Sequence, residues 1–242
     1  MDDLRMSGCL KALFPRSRGR LDAMLLNTAG GLTGGDRIRI AARAGAGAAL
    51  SLSTQAAERA YRAAGGTARV ETRLAAAPGA SLLWLPQETI LYDGARLDRR
   101  LSVALEGDAR LLMVEPVIFG RAAMGEVPRD VTIRDRIAVT RDGAPLWRDG
   151  WDVAGDLRAL MDRAATGRGA GAMASLFYAA PDAEAHLAAI RALLPATAGA
   201  TRPAPDTLAL RLLAPDGWTL RRALLPVLDR LTGGTLPICW RL

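Results

Sequence analysis

Apolar and polar residues alternate in short runs through the first two-thirds of the chain, and the runs come in pairs. Val70, Thr72 and Leu74 share one parity, as do Leu50 and Leu52, and Gly, Pro or Asp bounds each run. A period of two closed off by turn formers is the mark of a strand. With the glycines aligned, four segments follow one plan: Gly35 to Gln55, Gly66 to Gln87, Gly94 to Glu115, and a looser Gly125 to about Arg148. Each reads strand, turn, strand, and the period is about 30 residues. Such a unit cannot hide its apolar face alone, so its neighbours must stack on it. The expected fold is mainly β, a stack of β-coils resembling a β-helix or solenoid over residues 34–150, within a single domain covering 1–242.

After Trp151 the pattern changes. The Ala- and Gly-rich stretch Ala164 to Ala174 gives way to PDAEAHLAAIRALLP, where Asp182 is placed as an N-cap and Leu187, Ile190 and Leu194 share a helical face. Pro195, Pro203 and Pro205 mark 195–206 as a loop, Thr207 to Leu213 alternates as a strand, and a second helix is expected from Gly217 to Leu231. Leu220, Leu224, Leu228 and Leu231 line one side of that helix, and Pro226 inside it should kink it. Two α-helices are thus expected in 151–242, with the apolar tail LPICW docked on the body or on a partner.

Composition narrows the chemistry. No run approaches the roughly 18 apolar residues of a membrane span, and the polar, basic start lacks the apolar centre of a secretion signal, so a cytoplasmic protein away from membranes is expected. Cys9 and Cys239 sit at opposite ends with no histidine beside them, which encodes neither a disulfide framework nor a zinc site. The net charge of +7 is almost all arginine, Lys11 being the only lysine. Acids interrupt the arginines, so no uniformly basic run suggests nucleic-acid binding.

The glycines of GGLTGGDR, Gly30 to Arg37, resemble a phosphate loop. Such a loop needs Lys then Ser or Thr and a following helix, whereas Asp36 and a strand follow here. Tight turning is the simpler reading, and nucleotide hydrolysis by that route is excluded. His186 is the only histidine and is expected on a helix surface, which leaves acid–base and nucleophilic catalysis little support. Paired carboxylates, Glu88 with Glu115, would suit a carbohydrate-active β-coil enzyme; aromatics at 5% of the chain argue against a sugar cleft. One histidine and two distant cysteines leave a divalent transition metal only carboxylate, carbonyl and water, which hold it loosely. Gln55, Gln87 and Glu115 recur at one place in successive units, so they form a polar column or merely cap strand ends.

Four segments resemble, in order and spacing, the signature segments of the UreD (or UreH) family of urease accessory proteins: GGLTGGDRIRI (30–40), TQAAERAYR (54–62), LPQETILYDGARL (85–97) and VEPVIFGRAAMGE (114–126). With the PICW-like ending the resemblance covers nearly the whole chain. Its signature positions here are Gly30, Gly31, Gly34, Gly35, Gln55, Tyr61, Arg62, Gln87, Arg121, Gly125 and Glu126. The family usually carries a further stretch ahead of GCLKALFPR. The resemblance implies a non-enzymatic scaffold of β-helical fold with a pair of helices. Such a scaffold binds UreF directly and the GTPase UreG through it, dimerises through UreF, and docks on apo-urease for nickel insertion. It implies no tightly bound cofactor, with Ni2+ in transit past Asp36, Glu58 and Glu115, and Glu88 as a weaker addition.

Overall fold

The computed structural model describes every residue except 2, 18 and 242. Strands β1 (Leu10–Leu13) and β2 (Leu21–Asn27) pair antiparallel, and the chain then winds. The first winding joins β3 (Arg37–Ala44) to β4 (Ala49–Thr54) and the short β5 (Glu58–Ala60). The second joins β6 (Ala68–Ala76) to β7 (Ser81–Leu85) and β8 (Thr89–Leu91), and the third joins β9 (Arg96–Leu105) to β10 (Arg110–Phe119). β3, β6 and β9 run parallel in a smaller sheet, while β4, β7 and β10 run parallel in a larger one. Stacked coils are therefore the architecture, as the alternation predicts.

Close stacking explains two glycines of the first signature segment, Gly31 and Gly34. A Cβ on Gly34 would lie 2.0 Å from the carbonyl oxygen of Gly65 one winding away, so no larger residue fits without moving backbone.

The fourth unit departs from the plan. β11 (Val131–Arg141) extends the smaller sheet parallel to β9, but β12 (Ala144–Gly155) folds straight back on β11 as an antiparallel hairpin. The reason is the length and chemistry of the turn. Earlier windings cross between sheets through four-residue turns such as 77–80 and 106–109, whereas Asp142 and Gly143, both at positive φ (51° and 79°), make a two-residue hairpin turn.

The C-terminal part completes the larger sheet. After the short helix α1 (Leu157–Asp162), β13 (Ala172–Ala179) pairs antiparallel with β10. Helix α2 (Ala183–Leu193), edge strand β14 (Ala198–Thr201), β15 (Thr207–Ala214) and helix α3 (Gly217–Thr232) follow. The larger sheet reads β1-β2-β4-β7-β10-β13-β15-β14 with β5 and β8 attached, and the smaller reads β12-β11-β9-β6-β3. Helices α2 and α3 cover the outer face of the larger sheet, where Leu220, Leu224, Leu228 and Ile190 pack onto Leu176, Leu208 and Leu212.

Three expectations need correction, and one strand was not expected. Helices number three among the described residues, because the short α1 was not foreseen. β13 is buried at every position, so it shows no alternation and reads as a featureless apolar stretch. The 195–206 loop contains β14. The Asp182 side chain does not cap α2: its carboxylate accepts from Tyr178 Oη at 2.7 Å and faces His186 Nε2 at 3.5 Å. Asp216 is the true cap on its own helix, accepting from Thr219 N at 2.7 Å. Helix α3 runs through Pro226 as one element. The tail is docked, with Leu236, Cys239 and Trp240 buried in the helix-covered core. No helix among the described residues is long and apolar enough to cross a membrane.

Candidate functional site

Between the sheets, inward-facing side chains form two apolar clusters, one around Leu52, Leu82, Leu101, Met113 and Phe177 and the other around Leu91, Leu97, Val117, Ile133 and Met173. What separates them is a single polar level. Leu97-Arg99-Leu101, Ile133-Asp135-Ile137, Met113-Glu115-Val117 and Trp147-Asp149-Trp151 each place one polar residue at the same inward step of an apolar run. Register carries the level onward, because Glu115 faces Ser175 of β13 and Ser175 faces Arg211 of β15.

At the centre the Arg99 guanidinium lies 3.1 and 2.5 Å from the two Asp135 oxygens and 2.7 Å from Glu115 Oε2. Trp84 Nε1 donates to Glu115 at 2.5 Å and Trp151 Nε1 to Asp135 at 3.2 Å. All three charged groups are buried. Burial pushes the Glu115 carboxyl above its ordinary range, Arg99 opposes that push and Asp135 adds to it. Burial works against the Arg99 charge, yet Asp135 and Glu115 outweigh it and hold the guanidinium above its usual range. Beyond this triad Arg211 Nη2 meets Asp149 Oδ1 at 2.5 Å, and Ser175 Oγ donates to the other Asp149 oxygen at 2.8 Å.

Toward β2 and β3 the polar level opens into a cavity of about 330 Å³. Glu58, Gln55, Thr54 and Asn27 line its outer part, and Thr72, Thr89, Arg99 and Glu115 its inner part. Asn27 Nδ2 donates to both Glu58 oxygens at 3.2 and 3.1 Å. Burial raises the Glu58 carboxyl; the Asn27 and Arg59 contacts offset part of the rise and the nearby Asp36 charge adds to it.

Of the four acids read as metal contacts, Glu58 and Glu115 therefore share this cavity. Asp36 sits beside it on a turn, its carboxylate accepting from Thr33 N at 2.8 Å. Glu88 faces the opposite side of the larger sheet, where it pairs with Arg221 of α3 at 2.9 Å. Glu88 and Glu115 consequently do not oppose one another, and Trp84 is buried, so the paired-carboxylate sugar cleft is not formed. Among the described residues no three His, Cys, Asp or Glu side chains converge as a metal cluster.

Gln55, Gln87 and Glu115 all line the cavity, but their side chains diverge. β7 pairs with β10 as Trp84 to Met113, and β8 pairs with it as Thr89 to Val117, a slip of one residue between the two. One residue of slip turns a side chain to the other face. Gln87 Oε1 thus accepts from Arg221 at 2.8 Å, while its buried Nε2 has no partner among the described residues.

Nine of the eleven positions read as signatures assemble on one rim; Gln55 lines the cavity and Gln87 turns to helix α3. A Cβ on Gly31 would meet the Tyr61 ring at 2.4 Å, and Tyr61 Oη donates to the Gly30 carbonyl at 3.2 Å. Tyr61 packs edge-on against Tyr92 at 4.9 Å, Arg121 covers the Tyr92 ring at 4.3 Å, and Glu126 accepts from Arg121 at 3.1 and 3.0 Å. Arg62 pairs with Asp93, and Gly125 takes the left-handed conformation that closes the Ala122–Met124 turn. Four segments distant in sequence meet because each lies one winding from the next. Gly35 at positive φ and Gly34 complete that rim.

Arg99, Asp135, Asp149 and Arg211 were not singled out from sequence. Their signal was present as one charged residue interrupting an otherwise apolar inward parity, which the eye assigns to a strand end or an outward position.

The family model described as UreD urease accessory protein matches residues 1–240. "Urease accessory protein UreD" of Roseobacter denitrificans is 52% identical over 243 residues, covering all of this chain and 89% of that protein. The protein of the same name from Ruegeria pomeroyi is 51% identical, covering 99% and 94%, and that of Methylobacterium sp. is 42% identical, covering 100% and 88%. A match across the whole length, with relatives at 42–52% identity, leaves a single assignment: the chain belongs to the UreD family of urease accessory proteins.

Proposed function

We propose that this chain is a non-enzymatic scaffold for urease maturation, binding UreF directly and UreG through it, pairing into a dimer by way of UreF, and passing Ni2+ toward apo-urease through the inter-sheet cavity. The observation that carries the reading is the whole-length family match. The relatives' printed name supplies urease as the object of the assistance.

The cavity suits a cargo ion rather than a resident one. Its donors are oxygens, from Glu58, Gln55, Thr54, Thr72 and Glu115. Oxygen-only surroundings bind a divalent transition metal weakly and release it readily. Glu58 titrates above the ordinary carboxylate range, so an arriving cation competes with a proton there, and loading should strengthen as pH rises. GTP hydrolysis falls to UreG, since the glycine-rich turn is followed by Asp36 and a strand, and Lys11 is the only lysine.

Co-purification tests the scaffold: folded protein should recover UreF, and UreG only when UreF is present. Failure to recover UreF ends the proposal. For the passage, Glu58→Gln should lower GTP-dependent urease activation at least about tenfold while leaving UreF recovery unchanged. Asp36→Asn keeps the acceptor for Thr33 N and removes the charge, whereas Asp36→Ala removes both. Equal loss of activation in the two identifies the charge as what matters, and full activation by Asp36→Asn counts against a metal role for Asp36.

A further inference from the structure

Among the described residues no helix covers the outer face of the smaller sheet, and its outward residues are exposed or half-exposed from β3 to β12. Strand register fixes what that face presents. One row across the sheet reads Arg37, Arg69, Asp98, Arg134, Asp152; the next reads Arg39, Glu71, Arg100, Arg136, Gly150; a third reads Ala41, Arg73, Ser102, Ala138, Arg148. Eight arginines thus stand against three acids on one flat lattice. Rows are spaced by about 6.7 Å along the strands and strands by about 4.8 Å across them.

This excess is a property of the fold rather than of any one stretch of sequence. Along each strand the arginines are separated by buried or half-buried inward residues, and along the chain they are interrupted by acids. Only parallel stacking in register brings them onto one side. The neighbouring acids do not neutralise the face. Arg73 meets Glu71 at 2.5 Å, and Arg134 and Arg136 share Asp152 at 3.2 and 3.0 Å. These pairs are solvent-exposed, and such pairs contribute little and exchange partners easily. Arg37, Arg69 and Arg148 have no ion pair among the described residues.

We infer that this arginine lattice is the docking surface for an acidic protein face, and that apo-urease is the protein presenting it; the choice of partner rests on the scaffold reading above. Guanidinium groups at these spacings match carboxylates displayed on a protein surface, each able to take two parallel hydrogen bonds. A nucleic-acid backbone fits less well, because Glu71, Asp98 and Asp152 lie within the lattice and each would confront phosphate. The rows also hold no aromatic residue on which a base would stack. An apolar partner finds no anchor, since the gaps are filled by Ala41, Ser102, Ala138 and Gly150. Charge-led contacts form fast, respond to salt and separate again, which suits repeated visits to a client. The helix-bearing side, with Trp218 70% and Ile238 60% exposed, offers the apolar contact that a lasting UreF complex requires.

The test measures affinity of the UreF-bound protein for apo-urease at low and moderate salt. It compares wild type, Arg69→Gln/Arg100→Gln/Arg136→Gln, and a control of equal charge change, Arg163→Gln/Arg168→Gln/Arg202→Gln. The lattice variant should bind at least about tenfold more weakly and lose most of its salt dependence, with the control within about twofold of wild type. UreF recovery and the thermal midpoint should be unchanged in both, separating docking from folding. Equal binding by lattice variant and control overturns the assignment. So does a wild type that recovers UreF yet has no affinity for apo-urease, which leaves the scaffold reading standing; a wild type that recovers neither overturns both. A wild type that holds single-stranded RNA more tightly than apo-urease, and loses it in the lattice variant, gives the face to nucleic acid instead.

Discussion

Arg99→Met should destabilise the protein by about 3–5 kcal/mol near neutral pH, the cost of leaving two buried carboxylates without their shared cation. Arg99 is the only cation within contact of both Asp135 and Glu115 among the described residues, and their other partners are neutral indole donors. The loss should depend on pH in a definite direction. Glu115 titrates above its ordinary value of about 4.5 when folded. Well below that value both states are protonated and nothing is lost. As pH rises the unfolded chain ionises first, so stability falls until the folded value is passed. Removing Arg99 deletes the contact that restrains the rise, so the falling window should extend to higher pH. Urea denaturation at pH 5 and pH 8 reads this directly: the variant should be closer to wild type at pH 5. Adding Glu115→Gln and Asp135→Asn to Arg99→Met should recover most of the lost stability, since no buried charge then remains. A variant as stable as wild type at pH 8 would show that the triad holds nothing together.

The second large effect concerns the tail. Trp240 is fully buried, its Nε1 donates to the Leu85 carbonyl at 2.9 Å, and the Arg221 guanidinium lies 5.0 Å above its ring. Arg221 in turn joins Gln87 Oε1, Glu88 Oε1 and the Cys239 carbonyl at 2.8, 2.9 and 2.8 Å. One indole therefore ties the end of the chain, helix α3 and strand β7 together. Trp240→Ala should cost about 3–5 kcal/mol through the void and the freed carbonyl. Trp240→Phe keeps most of the volume but also frees the Leu85 carbonyl, and should cost about 1–3 kcal/mol. Chemical denaturation separates the two, and limited proteolysis should find the tail newly accessible only in the alanine variant.

Both sites show what a linear reading captures and what it misses. The windings were legible because glycine-bounded alternation repeats at Gly35, Gly66 and Gly94, and the positive φ of all three turns (91°, 74° and 80°) is what favours glycine there. Helix α3 was legible from Leu220, Leu224 and Leu228 on one face. β13 was not, since a strand covered on both sides has no polar parity to betray it. Glu58 and Glu115 were picked out as acids near winding ends, and the cavity does hold both. Their companions Asn27 and Arg99 were missed, because pairing at distances of 31 and 16 residues depends on register, which a one-residue slip between β7 and β8 is enough to change.

The tight reversal at Asp142 and Gly143 ends the parallel run of the smaller sheet. A coil built from like windings has no natural end, and an uncapped last layer would invite another chain to continue it, as filaments do. Here termination is written into a loop two residues shorter than its predecessors rather than into a separate lid. A further parallel winding after β11 would find its place already taken by β12, which is left as the edge of that sheet.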